Sequence, residues 1–331
     1  MSKILTKKYI LVTGVAGFIG SALAKSLISY GLRVIGIDNL NDYYDKNLKK
    51  KRLSSLLSID SKIDCNFIFK EIDIRNKRDL TKIFSDFEID YVYHLAAQAG
   101  VRNSFLDPSS YFECNVEGTF NILELAKVKG VKRIFFSSTS SVYGNNTNEF
   151  FSETHLPNAI QFYASTKVIA EQLIESYCNF FNLNATVFRF FTVYGPWGRP
   201  DMSIFKFTEA ISRGERIDVF NFGNHTRSFT YIDDVVYFLV RALQFDSKLE
   251  NGFSLFNLGN PNTVKLEYLI ELIATHLNLP VEKNYLPLQK GDIFSTAPNV
   301  DKLIAKFGNF HFTQIDVGIL KFLRWYRDFS K

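Results

Sequence analysis

The sequence predicts an α/β chain, a doubly wound parallel sheet with a smaller C-terminal α+β lobe. Three observations carry this expectation. Short β-rich apolar runs alternate with helical patterns from Tyr9 to Phe191, and the first run is followed at once by glycines at 14, 17 and 20. Beyond residue 195 the alternation breaks into short strands scattered among helices, so the expected division is 1–195 and 196–331, with room for the chain to cross back.

Tyr9-Ile10-Leu11-Val12-Thr13 reads as the first strand. The turn Gly14-Val15-Ala16-Gly17-Phe18-Ile19-Gly20 opens a helix with Ala22, Leu23, Leu27 and Ile28 on its apolar side, and Gly31 stops it. A second strand, Arg33 to Ile37, ends at Asp38. Strand, glycines, helix, strand and terminal acid in this order form a dinucleotide-binding unit. Glycines permit a tight turn and close approach to a pyrophosphate at the helix N-terminus, and the acid accepts hydrogen bonds from a ribose diol. The Asp38 carboxylate would repel the 2′-phosphate of NADP, and Asn39 rather than a basic residue follows it, so NAD is the expected cofactor.

Residues 41–57 read as a charged surface helix. Asn66 to Ile72 is a third strand ending in Asp73, placed to meet an adenine. Asp90 to Leu95 is a fourth, ending in Ala96 and Ala97, small residues that leave room for a flat ligand. Asp107-Pro108 starts a helix, with the aspartate as cap and the proline in its first turn, and Gly130 ends it after Lys129. Lys132 to Phe136 is a fifth strand. It runs into five consecutive hydroxyls, Ser137 to Ser141, at the strand end where open parallel sheets bind ligands. Ala185 to Phe191 is a sixth. After it come short strands at 217–220, 228–232 and 253–256 among helices near 201–213, 233–244, 265–277 and 313–329.

Between the fifth and sixth strands lies an amphipathic segment, 159–181, with Tyr163 and Lys167 near its start. Residues four apart share a helix face, so the hydroxyl and the ammonium project into the same space. A free tyrosine has a pKa of about 10, and a neighbouring cation favours its phenolate. The pair is therefore a candidate general base for an alcohol.

Composition narrows the partners. The net charge of +5 is spread out, and its densest run, Lys49 to Arg52 beside Lys46, reads as a solvated helix face, with no nucleic-acid motif beside it. Cys65, Cys114 and Cys178 fit neither a disulfide framework nor a metal knuckle, and the five histidines are scattered, so no metal site is expected. The apolar run Tyr9 to Val12 is too short for a signal-peptide core, and no span approaches the ~20 residues of a membrane helix. A cytoplasmic protein with no membrane or nucleic-acid partner is expected.

Together, the glycine triad, the hydroxyl run and Tyr163-x-x-x-Lys167 resemble the extended short-chain dehydrogenase/reductase family of nucleotide-sugar enzymes, whose sheet is Rossmann-type. Three longer blocks, at 38–45, 94–102 and 189–202, resemble the UDP-glucuronate 4-epimerases. The resemblance implies that Tyr163 is the base, that Lys167 lowers its pKa and binds the nicotinamide ribose, and that Thr139 hydrogen-bonds the sugar's 4-hydroxyl. It implies NAD contacts at Gly14, Gly17, Phe18, Ile19, Gly20, Asp38, Asn39, Asp73, Ile74, Leu95, Ala96, Ala97, Asn115, Ser137 and Phe190. It places the UDP-sugar at Ser140, Ser141, Thr192, Arg199, Arg227 and Asp292, and implies tightly held, recycled NAD and a homodimer paired through helices 107–129 and 159–181. A guanidinium grips a carboxylate with two parallel hydrogen bonds, so Arg199 is the residue that would select a uronic acid.

The sequence also departs from the family. Ser228 stands where the family commonly has aspartate, Lys290 where galactose-type epimerases carry arginine, and Thr296-Ala297-Pro298-Asn299 where the glucuronate group reads Thr-Tyr-Ala-Asp. The rival readings are a 4,6-dehydratase, a UDP-glucuronate decarboxylase, a 4-epimerase of UDP-glucose or its N-acetyl analogue, and a non-catalytic NAD-binding sensor or scaffold. Thr139-Ser140-Ser141 supplies no carboxylate for elimination or decarboxylation, and both Tyr163 and Lys167 are present, which favours epimerisation.

Overall fold

β1 (Tyr9–Thr13) is buried along almost its whole length, as a parallel strand covered on both faces must be. A computed structural model describes residues 8–63, 67–145, 150–288 and 295–330. After β1 come α1 (Phe18–Ser29), β2 (Val34–Asp38), α2 (Lys46–Ile63), β3 (Phe67–Glu71), α3 (Lys77–Asp86) and β4 (Ile89–His94). α4 (Pro108–Phe112) and α5 (Gly118–Lys129) sandwich a π turn at Glu113–Glu117, so the helix expected over 107–129 carries an insertion at Asn115. Asp107 caps α4 by accepting from the Ser110 N–H at 3.2 Å. β5 (Arg133–Thr139), a 3₁₀ turn at Ser140–Tyr143, α6 (Phe162–Phe181) and β6 (Ala185–Phe190) complete the alternation.

The remaining elements are β7 (Thr192–Tyr194), α7 (Ser203–Ser212), β8 (Ile217–Phe220), β9 (Thr226–Tyr231), α8 (Ile232–Gln244), β10 (Phe253–Leu258), β11 (Thr263–Lys265), α9 (Leu266–Leu277), β12 (Lys283–Leu286), β13 (Ser295–Thr296), α10 (Asp301–Phe307) and α11 (Ile315–Phe329). The main sheet has seven strands in the order β10-β6-β5-β4-β1-β2-β3. β1 pairs in parallel with both β2 and β4, so the strand order reverses there and a crevice opens outside the ends of β1 and β4. On one face Leu11, Ile35, Val92, Ile134 and Val187 pack against Leu80, Ile83, Ile122, Ala170 and Ile174 of α3, α5 and α6.

The chain forms two compact units. The first is Met1–Gly144, Leu156–Arg189 and Val236–Phe256; the second is Asn145–His155, Phe190–Val235 and Asn257–Lys331. Most of α8 and β10, which the sequence pattern placed in the C-terminal lobe, belong to the first unit. β10 lies against the otherwise open edge of β6, and an apolar strand is well suited to cover such an edge. α8 covers the sheet, accepting the Tyr93 hydroxyl on the Leu239 carbonyl at 2.8 Å. The 3₁₀ turn after α8 adds Asp246, which takes the Arg133 guanidinium at 2.6 Å and the Tyr91 hydroxyl at 2.9 Å.

One surface reading is corrected. Lys49 and Arg52 on α2 point inward, on the face that carries Leu48, Leu53 and Leu56. Lys49 donates to the Asn41 carbonyl at 2.8 Å and to its side chain at 2.6 Å, while Arg52 donates to the Ala16 carbonyl at 3.0 Å and the Tyr44 hydroxyl at 2.7 Å. Their long stems let them lie on the apolar face and still bring each charge to a polar partner.

The second unit is built on β9, which pairs with β7, β11 and β13, while β8 and β12 form a separate parallel pair. An aromatic cluster of Phe205, Phe322, Trp325 and Tyr326 joins α7 to α11. No helix among the described residues is long and apolar enough to cross a membrane.

Candidate active site

The turn after β1 can be built only from glycine at key points. Gly14 has φ +70°, and a Cβ on it would lie 2.8 Å from the Ala96 nitrogen. A Cβ on Gly20 would fall 2.1 Å from the Gly14 carbonyl oxygen. The backbone is thereby left bare where β1 enters α1, beside the crevice. At the end of β2, Asp38 accepts from the Ala16 N–H at 3.1 Å and the Leu40 N–H at 2.9 Å. Burial raises its pKa, against those hydrogen bonds and the charges of Lys49 and Arg52. Asn39 donates to Asp73 at 2.9 Å. Burial of Asp73 pushes its pKa upward, but hydrogen bonds from Arg75 and Asn39 outweigh it and the net shift is downward. Ile74 is buried against Gly118, where a Cβ would meet its side chain at 2.5 Å.

A buried hydrogen-bond chain ties this turn to the helix of the candidate base. The Thr13 hydroxyl oxygen accepts from the Leu95 and Ala96 N–H groups at 3.1 and 3.0 Å, so its proton points to His94 Nδ1 at 2.8 Å. His94 must then carry its proton on Nε2 and donate to Thr119 at 3.0 Å; Thr119 in turn donates to the Asn115 carbonyl at 2.6 Å. Burial, reinforced by the charge of Lys167, pushes the His94 pKa down to about 3, so the imidazole is neutral at any ordinary pH. From the π turn, the Asn115 side chain accepts from Gln98 N–H and donates to Gln98 O and to Thr166 Oγ1, which donates to the Tyr163 carbonyl at 2.7 Å.

Lys167 is 2% exposed. Its ammonium donates to the Ser137 carbonyl at 2.8 Å and lies 4.6 Å from the centre of the Phe136 ring. Burial lowers its pKa to about 8, opposed by Cys114 and Glu171. Tyr163, one turn earlier and half-buried, meets the Tyr111 ring edge-on at 6.1 Å. Ser137, Ser138 and Thr139 lie within β5, and the Thr139 hydroxyl accepts from the Ser141 N–H at 3.2 Å, capping the turn that carries Ser140 and Ser141. The first unit thus brings together the glycine turn, Asp38, Asp73, Ile74, Leu95 to Ala97, Asn115, Ser137, Thr139 to Ser141, Tyr163 and Lys167.

The second unit holds Phe190, Thr192, Arg199 and Arg227. Thr192 and Arg199 line one pocket with Gly195, Met202, Phe229 and Phe322. Arg199 is gripped by Asp201 through a two-pronged contact, Nε to Oδ1 at 2.9 Å and Nη2 to Oδ2. Trp197, at φ +65°, reaches this loop's left-handed turn with its ring against Trp325 and Phe329. Arg227 lies on β9 and donates to the Thr226 carbonyl. Ser228, one of the departures, is fully buried and donates to the Asn260 carbonyl at 2.7 Å, a role a carboxylate cannot fill. Asp292 and Lys290 lie outside the described residues. Sequence reasoning did not find Thr13, His94 or Thr119 as supports of the site, because residues up to 82 and 83 positions apart meet only once β1 and β4 are neighbours.

The family model for the NAD dependent epimerase/dehydratase family matches residues 10–259. The chain belongs to that family. Among its relatives, Staphylococcus aureus Protein CapI is 41% identical over 97% of this chain and 99% of its own length. A UDP-glucuronate 4-epimerase from Thermodesulfobacterium geofontis is 40% identical over 89% of this chain and 88% of its own length. Among solved structures, the chain is similar to the Bacillus cereus UDP-glucuronic acid 4-epimerase crystallised with UDP-glucuronic acid and NAD, at a TM-score of 0.90 and 32% identity, covering 97% of this chain and 99% of that one.

Proposed function

We propose that this family member is a UDP-glucuronate 4-epimerase that interconverts UDP-glucuronate and UDP-galacturonate on a tightly held NAD. The observation that carries the reading is the Lys167 ammonium seated on the Ser137 carbonyl, two residues before Thr139 on β5, with Tyr163 one turn earlier on the same helix. The glycine turn fits the dinucleotide: a Cβ at Gly14 or Gly20 would clash with the Ala96 backbone or the Gly14 carbonyl, so the cradle is bare backbone at the start of α1, and Asp38 stands where a ribose diol would be accepted. Bound NAD would accept the hydride from C4 of the sugar and return it to the opposite face.

The chain's own residues do the rest. Tyr163 removes the proton of the 4-hydroxyl and later restores it, and the Lys167 ammonium one helical turn away favours the phenolate. Thr139 holds the 4-oxygen by a hydrogen bond, with Ser140 and Ser141 on the adjoining turn. Thr192, Arg227 and Asp292 are assigned to the UDP-sugar, and Arg199 to the uronate carboxylate. A sugar held firmly by its UDP handle and loosely at the ring can turn over between the two hydride transfers.

One observation favours a second reading, a neutral-hexose 4-epimerase: the Arg199 fork is already held by Asp201. A panel of UDP-sugars given to the purified protein without added cofactor, with products separated, decides between the two. Tyr163→Phe is expected to lower kcat by about 10²- to 10⁴-fold with NAD still bound; a rate within a few-fold of the unaltered protein refutes the mechanism.

The protein is also assigned as a homodimer. Phe112, Phe120 and Val128 on α4 and α5, and Ile169, Phe180 and Phe181 on α6, are exposed apolar side chains that a second copy would cover. We place it in the cytoplasm, where the free thiols Cys114 and Cys178 would remain reduced.

A further inference from the structure

Glu171 lies one turn beyond Lys167 on α6 and is only 5% exposed. Its Oε1 accepts from the Ser138 hydroxyl and from Arg189 Nε at 3.0 Å, and its Oε2 accepts from Arg189 Nη2 at 2.7 Å. Arg189, near the end of β6, lies with its guanidinium carbon 4.8 Å from the centre of the Tyr143 ring, in the turn that follows Thr139. One carboxylate therefore joins α6, β5 and β6, and the paired guanidinium stacks on the turn that carries Ser140 and Ser141. The residue it holds in β5, Ser138, sits between Ser137, whose carbonyl receives the Lys167 ammonium, and Thr139.

A buried ion pair is weak ground for stability, since its desolvation commonly cancels its attraction; its attested use is to specify one arrangement. We propose that Glu171, held by Arg189, is a positioning residue for the reaction: through the Ser138 hydroxyl it sets the Ser137 carbonyl under Lys167 and the Thr139 hydroxyl relative to Tyr163. Glu171 touches neither substrate nor cofactor in this role, and the inference rests on the epimerase reading above. It also has an electrostatic consequence. The groups that act on Lys167 are the Ser137 carbonyl and the Phe136 ring from β5, His94 from β4, Cys114 from the π turn, and Glu171 from its own helix, with Arg189 behind Glu171. Replacing Glu171 by glutamine withdraws a negative charge and leaves Arg189 uncompensated, so the Lys167 ammonium becomes a stronger acid.

Two variants test this in the NAD-holoenzyme. Ser138→Ala removes one hydroxyl and leaves the ion pair and every charge in place, so it is expected to fold and to retain NAD. Its kcat should fall at least about tenfold while KM for the UDP-sugar stays within about twofold. In Glu171→Gln, the titration of Lys167 followed by ¹³Cε-lysine NMR, assigned by its loss in Lys167→Met, should move down by about one pH unit or more. The inference is overturned if Ser138→Ala keeps its kcat within about twofold, if its loss appears in KM alone, or if the Lys167 midpoint does not move. Failure of the epimerase reading looks different: the unaltered holoenzyme would turn over no UDP-sugar, whatever the Lys167 titration shows.

Discussion

Replacing Lys167 by methionine should abolish catalysis and yet leave the fold no weaker near neutral pH. The ammonium has its pKa lowered from 10.5 to about 8 by burial. That gap of about 2.5 pH units corresponds to roughly 3 kcal/mol against the charged form, at ~1.4 kcal/mol per unit. The unfolded chain keeps this proton until about pH 10.5 and the folded one loses it near 8. Between those values the unfolded state therefore binds more protons, and stability rises with pH. The penalty is fully present below pH 8 and gone above about 10.5. Methionine of similar volume removes it but leaves the Ser137 carbonyl without its donor, at a cost of ~1–3 kcal/mol. The balance at pH 7 lies between zero and ~2 kcal/mol in favour of the variant. Urea unfolding of both proteins with saturating NAD, from about pH 7 to pH 10, measures it. The wild-type protein should gain on the variant as pH rises, by up to ~1.4 kcal/mol per unit. Parallel curves, or a variant weaker by ~3 kcal/mol at pH 7, would refute the buried-cation argument.

Two further substitutions probe the nucleotide turn and the sugar selector. Gly20→Ala puts a methyl 2.1 Å from the Gly14 carbonyl oxygen, a backbone atom that cannot swing away, so purified protein should carry little NAD and lose ~1–3 kcal/mol or more; Gly31→Asn, in open space at φ +75°, should retain both, and unchanged NAD content in Gly20→Ala would contradict the cradle. Arg199→Ala should lower kcat/KM about 10- to 100-fold for UDP-glucuronate, the worth of one two-pronged charged contact, and no more than about threefold for UDP-glucose. Equal losses on both sugars would mean that Asp201, not a substrate carboxylate, is the partner of that guanidinium in the working enzyme.

Much of the first unit was legible because its signals are short-ranged. The strand, glycine and helix run from Tyr9 to Ser29, the Asp107 cap with Pro108, and the helix over 162–181 each rest on preferences set by residues a few positions away. The C-terminal pieces were less so. β11 and β13 have three and two residues, too few to show a period of two, and they exist as strands because β9 offers them an edge. β10 carried a clear apolar pattern, but nothing in it says which sheet it joins. The basic run of α2 read as solvated because charge patterning cannot tell that Asn41, Ala16 and Tyr44 stand ready to receive Lys49 and Arg52.

By itself, the sequence determined that a dinucleotide turn and a Tyr-x-x-x-Lys helix exist and that five hydroxyls follow the fifth strand. Steric freedom at glycine and the 3.6-residue period of a helix act within one turn of chain. Only the tertiary structure decided what surrounds them: His94 seated between Thr13 and Thr119, Asn115 under Thr166, and Glu171 joining Ser138 to Arg189. Those partners come from separate strands and helices, and each link forms only where the strand order brings both ends into a dry interior. There a polar group without a partner costs far more than it would on the surface, so the pairing is obligatory once the sheet is assembled.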